Sequence, residues 1–181
     1  MNNIFLISEV VDKYRWISIA ENRNDWGKRL SLLREQPVPQ DFGPVEVEWT
    51  PETFQRSAAD FVNFRTDLKC INYESSVLFD DIFKESGQMI RLSGLNYIAY
   101  YCTYFSDCIS SYHTENKLKH SIFSSLHSPK FCPVLERCKL PNVSIFHIPE
   151  SNNKFFVDEV FKNIYDHNEL TGLEFFPVDL V

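Results

Sequence analysis

The last quarter of the chain, KFFVDEVFKNIYDHNELTGLEFFPV over residues 154–178, constrains the fold more than any other stretch. Phe156 and Val157 form a short apolar lead-in to Asp158. A carboxylate there can accept hydrogen bonds from the free N–H groups of a first helical turn, so Asp158 reads as a helix N-cap. Val160, Phe161, Ile164 and Tyr165 then recur at helical spacing and make one apolar face. Leu170-Thr171-Gly172 reads as a turn, and residues 173–178 as a strand ending at Pro177. A cap, a short helix, a turn and a strand in so few residues require a core that takes both element types.

The same order occurs 78 residues earlier, in LFDDIFKESGQMIRLSGL over residues 78–95. Asp80 aligns with Asp158, Phe83 with Phe161 and Lys84 with Lys162. Leu92, Gly94 and Leu95 align with Leu170, Gly172 and Leu173, and no gap is needed. Two copies are too few for a solenoid, which needs at least three. Either a common cap-helix-turn pattern has arisen twice, or an internal helix-turn-strand repeat supplies two layers of one core. On the second reading Asp80 and Asp158 cap equivalent helices, and each glycine turn leads into a strand of the same sheet.

The pattern F-[FV]-V-[SD]-E-x-F-K-x-I, followed by L-T-G-L-x-F-x-P, resembles the ending of a large bacterial family of immunity proteins from polymorphic toxin systems. FDDIFKESGQ, the strand NYIAYYCTY with Asp107 after it, and the pre-terminal strand VSIFHIP fit the same pattern. The resemblance covers residues 76–178. Residues 1–75 share only an opening strand and a Pro-rich acidic stretch. The family's common Ser at the helix cap is Asp158 here, a chemically equivalent cap. The resemblance implies a cytoplasmic protein that binds and neutralises a cognate toxin domain, with no catalytic residue and no cofactor. Its motifs are structural, so they speak to family more than to mechanism.

A chain of 181 residues suits one domain, 1–181, and its hydrophobic share of 44% argues against disorder. The net charge of −7 argues against a nucleic-acid backbone as partner, because phosphate binding needs clustered Lys and Arg. It suits a basic protein partner. The start, MNNIFLISEVVDKY, lacks the basic n-region and long apolar run of a secretory signal. No apolar run approaches a membrane span. Five cysteines, at 70, 102, 108, 132 and 138, are expected as buried thiols rather than disulfides in a reducing cytosol.

In chain order, residues 4–7 and 15–19 are β-rich and could form a first hairpin. Residues 21–34 read as a loop leading into a short helix, and residues 36–43 as a Pro-Gly loop. In residues 44–49, Val45, Val47 and Trp49 alternate with Glu46 and Glu48, the pattern of a half-buried strand with an acidic outer face. Thr50-Pro51-Glu52 reads as a helix start, with Phe54, Ala58, Phe61 and Val62 as its apolar stripe. Residues 97–109 are an aromatic run that suits a strand buried on both faces. Residues 110–128 have weak helical periodicity. Residues 131–135 and 143–148 are further strand candidates, with Pro133 limiting the first to an edge or a break. The whole predicts an α+β fold, a mixed or antiparallel sheet with short packed helices.

Candidate chemistry is thin. His113, His120 and His127 recur every seven residues, which does not match the close ligand spacing of zinc sites. Cys102 or Cys108 beside a histidine would suggest a thiol nucleophile, but Cys102 lies within an apolar run, where a buried inert thiol is expected. No phosphate loop, nucleophile elbow or dinucleotide fingerprint occurs. The pairs Asp80-Asp81 and Asp158-Glu159 fall at expected helix starts, where capping and the helix dipole account for them.

Acid is concentrated in two segments. Residues 41–60 hold five carboxylates against Arg56, and residues 158–179 hold six against Lys162. A solvated surface tuned for solubility explains this as readily as a steering surface for a basic toxin domain. On the second reading Asp41, Glu46, Glu48 and Glu52 are the candidate partner-binding residues. The expected function is that of an immunity protein, not an enzyme. It would act by stoichiometric occlusion of a cognate toxin domain, without a cofactor, nucleic acid or membrane. The alternatives are a binding or regulatory module unrelated to toxins and, third, a small hydrolase.

Overall fold

Strands are the commonest element among the described residues. A computed structural model describes residues 3–20, 42–65, 68–110, 133–149 and 151–181. Their strands are β1 (Ile4–Glu9), β2 (Ile17–Ile19), β3 (Val45–Trp49), β4 (Phe61–Arg65), β5 (Leu68–Asn72), β6 (Gly87–Ser93), β7 (Tyr97–Cys102), β8 (Ile145–Ile148), β9 (Ser151–Asp158) and β10 (Leu173–Pro177). The helices are α1 (Tyr73–Ser76), α2 (Asp80–Ser86) and α3 (Glu159–His167), and a 3-10 turn (Val77–Phe79) joins the first two. The fold is α+β.

Two sheets form. The four-stranded one has the order β10-β1-β9-β8 and is antiparallel throughout. The six-stranded one has the order β2-β3-β6-β7-β5-β4 and is mixed, because β3 and β6 run parallel. The central core lies between them. Ile71, Tyr100 and Cys102 from the larger sheet meet Ile7, Phe155 and Val157 from the smaller one. Aromatic rings from the helices complete this core. Phe79 and Phe161 have centroids 4.6 Å apart, and Phe83 stacks on Tyr100 at 4.2 Å. The outer faces of the sheets carry their own clusters, Val45, Val47, Ile90 and Ala99 on one and Leu6, Phe146, Phe156 and Leu135 on the other.

Several expectations hold locally. Asp158 caps α3 by accepting the Phe161 N–H at 3.0 Å, and Phe161 and Tyr165 are buried. Val160, expected on the same buried face, is exposed instead, because only the Phe161 side of the helix meets Phe79. β7 is an interior strand of its sheet, as its aromatic run requires, but it ends at Cys102. Beyond it Phe105 and Ile109 make only isolated bridges, to His147 and Leu135.

Three expectations fail. β1 and β2 do not form a hairpin, because they belong to different sheets. Pro51 opens only one 3-10 turn (Pro51–Thr53) and no longer helix. The Arg15 guanidinium donates to the carbonyls of Phe54 and Arg56, which a helix would need for its own N–H groups, and residues 61–62 enter β4. The internal repeat is out of phase. Gly87 aligns with Tyr165; α2 ends before Gly87 and β6 begins there, whereas α3 runs on through Tyr165 to His167. A Cβ at residue 87 would lie 2.3 Å from the Tyr101 carbonyl oxygen and 2.6 Å from the Tyr100 hydroxyl. Asp80 caps nothing. Asn72 caps α1, accepting the Ser75 N–H at 2.8 Å. The shared L-[ST]-G-L turns are real, with φ of +92° at Gly94 and +107° at Gly172, but they lead into strands of different sheets.

Because the Phe161 ring is fully buried among Phe61, Phe79 and Tyr165, Phe161→Ala is expected to lose about 3–5 kcal/mol in urea unfolding. A loss below about 1 kcal/mol would place this ring outside the core.

Candidate functional site

β3 forms as its sequence dictates. Val45 and Val47 are buried, and Glu46 and Glu48 are exposed on the opposite face. Glu48 pairs in register with Ser18 of β2, and Glu46 with Ser93 of β6, so both carboxylates share a sheet face with small hydroxyl side chains. Glu52 is exposed just past the strand, in the 3-10 turn. Two nearby arginines, Arg15 and Arg56, bind backbone carbonyls and aromatic rings. Arg15 holds two carbonyls and lies over the Trp49 ring, and Arg56 donates to Val11 and lies over Trp16. Asp41 lies outside the described residues, as do His113, His120, His127, Cys132 and the whole of the expected loop and short helix at 21–34.

The C-terminal acids are differently used. Asp158 is buried, with one oxygen on the α3 N-terminus and the other accepting from Ser144. Asp166 pairs with Lys162, and Glu159 accepts from Asn3 at 2.5 Å. These groups serve the fold first, so the acidic C-terminal segment is less of a free surface than its composition suggests.

The L-T-G-L motif also serves the fold. Thr171 donates to the Asp60 carboxylate through both its backbone N–H and its hydroxyl, each at 2.8 Å. Asn72 and Ser75 donate to the other oxygen, each at 2.7 Å. Gly172 lies directly under β4, where a Cβ would stand 1.9 Å from the Phe61 carbonyl oxygen. Burial pushes the Asp60 carboxyl up, but the hydrogen bonds from Ser75, Thr171 and Asn72 together outweigh it and hold the group below its ordinary value.

A surface that sequence reading missed lies on the helical run, residues 73–86. Ile82, Phe83 and Phe79 face the core, while Tyr73, Val77 and Leu78 are exposed with Glu74, Asp81 and Glu85 beside them. The sequence pattern puts the helix start at Asp80, so it leaves residues 73–78 out of the helix. The spacing that could have revealed them is the complementary one, with Ser75, Ser76, Phe79, Ile82, Phe83 and Ser86 as the buried stripe.

The ribbon and this helical run share one side of the larger sheet. Glu46 pairs with Ser93, and Met89, on the same face of β6, pairs with Tyr100. Tyr100 stacks on Phe83 of α2. The acidic wing of β3 therefore flanks the helices instead of lying behind them.

Thiol chemistry is disfavoured at Cys102. Burial pushes this thiol up to about 11, and its Sγ donates to the Tyr104 carbonyl at 3.6 Å. Cys70 and Cys108 are also buried, whereas Cys138 is exposed, contrary to a uniform set of buried thiols. Among the described residues no helix is long and apolar enough to cross a membrane, and no group of three or more His, Cys, Asp or Glu could hold a metal. No family model matches the chain, and no curated protein matches it significantly.

Asp60→Asn is expected to cost about 2 kcal/mol, since donors aimed at a carboxylate would meet an amide. The folded carboxyl is held below its ordinary value, so its contribution is full above the unfolded pKa and is lost as pH falls through the folded one. Urea unfolding of both proteins along a pH series checks this. The gap between them should be widest near neutrality and close below about pH 4. A gap independent of pH would show that Asp60 is not ionised in the folded chain.

Proposed function

We propose that this protein is an immunity protein that binds a cognate bacterial toxin domain and neutralises it by stoichiometric occlusion in the cytoplasm. The observation that carries the reading is the exposed carboxylate ribbon of Glu46 and Glu48, backed by buried Val45 and Val47. Its support from sequence is the resemblance of residues 76–178 to the immunity family. Occlusion needs a rigid surface with charge opposite to its target, and no catalytic residue. Exposed carboxylates contribute little to folding, so reversing those on β3 should leave stability nearly unchanged. Charges of this kind act mainly on the rate of encounter, and salt weakens them.

The second reading is a binding or regulatory module unrelated to toxins, which the same ribbon would serve equally well. The two are separated by the neighbouring gene's product. Co-expression of this chain should rescue cells from the C-terminal domain of that polypeptide if the first reading holds. A neighbouring gene product that is harmless to cells would sink it.

The double variant Glu46→Lys with Glu48→Lys should slow association with that domain at least about tenfold at low ionic strength. Its melting temperature should stay close to that of the wild type. Association rates measured along a salt series check both points, and the two proteins should converge as salt rises. Equal rates at low salt would place the steering charge elsewhere.

A further inference from the structure

The exposed side of residues 73–86 has the composition of a docking surface. Tyr73 is 56% exposed, Val77 66% and Leu78 42%, so three large apolar side chains within six residues face solvent. Glu74, Val77, Leu78, Asp81 and Glu85 follow one another at spacings of three, one, three and four, which keeps them on one stripe of a helical segment. The opposite stripe is locked. Phe79 stacks on Phe83 at 5.6 Å, Ser86 hydrogen-bonds Tyr100 at 2.8 Å, and Asn72 caps the first turn. The platform is therefore held rigidly, and ordering it on binding costs little.

Its charge selects the occupant. The run carries Glu74, Asp80, Asp81 and Glu85 against one cation, Lys84, whose ammonium is paired with Asp80. A nucleic acid or an anionic lipid would be repelled. A second copy of this chain docked face to face would bring carboxylates onto carboxylates. A basic protein surface with an apolar centre satisfies both the rim and the middle.

We propose that the outer face of residues 73–86, with Tyr73, Val77 and Leu78 at its centre and Glu74, Asp81 and Glu85 as its rim, is where a basic protein partner docks. The inference rests on the partner-binding reading above and divides the labour within it. The β3 ribbon, on the same side of the sheet, accelerates encounter, and the helical face holds the complex. Steering charges change association rates, whereas desolvated apolar contacts change dissociation rates.

The test uses the full-length protein and, as probe, the C-terminal domain of the polypeptide encoded by the neighbouring gene, immobilised for kinetic measurement. Val77→Ser with Leu78→Ser should raise the dissociation rate at least about tenfold at both low and high salt, with little change in association. Glu74→Lys with Glu85→Lys should weaken binding mainly at low salt. On the wild type, amide exchange within residues 73–86 should slow when the domain binds, a measurement that needs no variant to fold. A wild type that binds without protection of this run, or folded variants that dissociate at the wild-type rate, would overturn the docking face and leave the immunity reading standing. A wild type that fails to bind the domain would overturn both. Sedimentation showing a wild-type dimer that Leu78→Ser dissolves would overturn the proposal in favour of self-association.

Discussion

The Asp60 carboxylate sits where three parts of the chain meet, and much of the fold is tied through it. It stands at the start of β4, accepts from the α1 cap residue Asn72 and from Ser75 within α1, and accepts twice from Thr171 in the turn before β10. The backbone repeats the connection, with the Phe61 N–H donating to the Thr171 carbonyl and the Asn72 N–H to the Asp60 carbonyl. One half-buried charge thus joins the six-stranded sheet, the helical run and the C-terminal unit. A carboxylate can accept this many donors because each oxygen offers two lone pairs, and all four donors favour its ionised form. The same contact explains why the turn reads Thr-Gly. Thr supplies two donors, and only Gly leaves room for the Phe61 carbonyl at a positive φ.

A second polar link spans the sheets themselves. Lys69 of β5 is buried, pairs with Glu9 of β1 at 2.6 Å, and lies 4.4 Å from the centre of the Phe155 ring on β9. A charge this well buried persists only with such partners, and removing one would leave the other uncompensated. It joins β5 of the larger sheet to β1 of the smaller one. Within the larger sheet, strand register and the stacking of Phe83 on Tyr100 put the helical run and the β3 ribbon on one side. That side carries the exposed Glu46 and Glu48 together with the exposed Tyr73, Val77 and Leu78.

Local chemistry was legible where a residue's own neighbours decide its structure. The alternation of β3, the capping of α3 by Asp158, the glycine turn at 170–172 and the strand ending at Pro177 all follow from short-range rules. The burial of Phe161 follows as well. Sequence reading failed where long-range partners compete. Arg15 takes the carbonyls that a helix after Pro51 would need, and Gly87 is squeezed against Tyr100 and Tyr101, ending α2 where Tyr165 continues α3. The apparent repeat therefore has the same letters and a different phase.

The amino-acid sequence by itself determined the class of the fold, the position of its best-capped helix and the acidic outer edge of β3, because period, capping and turn chemistry act over a few residues. Only the tertiary structure decided that β1 and β2 enter different sheets. It alone revealed that the L-T-G-L turn clasps Asp60, more than a hundred residues earlier in the chain. It also decided that Tyr73, Val77 and Leu78 face outward. Which side of a helix is buried depends on what packs against it, and Phe161, Phe61 and Tyr100, which fill that space, come from distant parts of the chain.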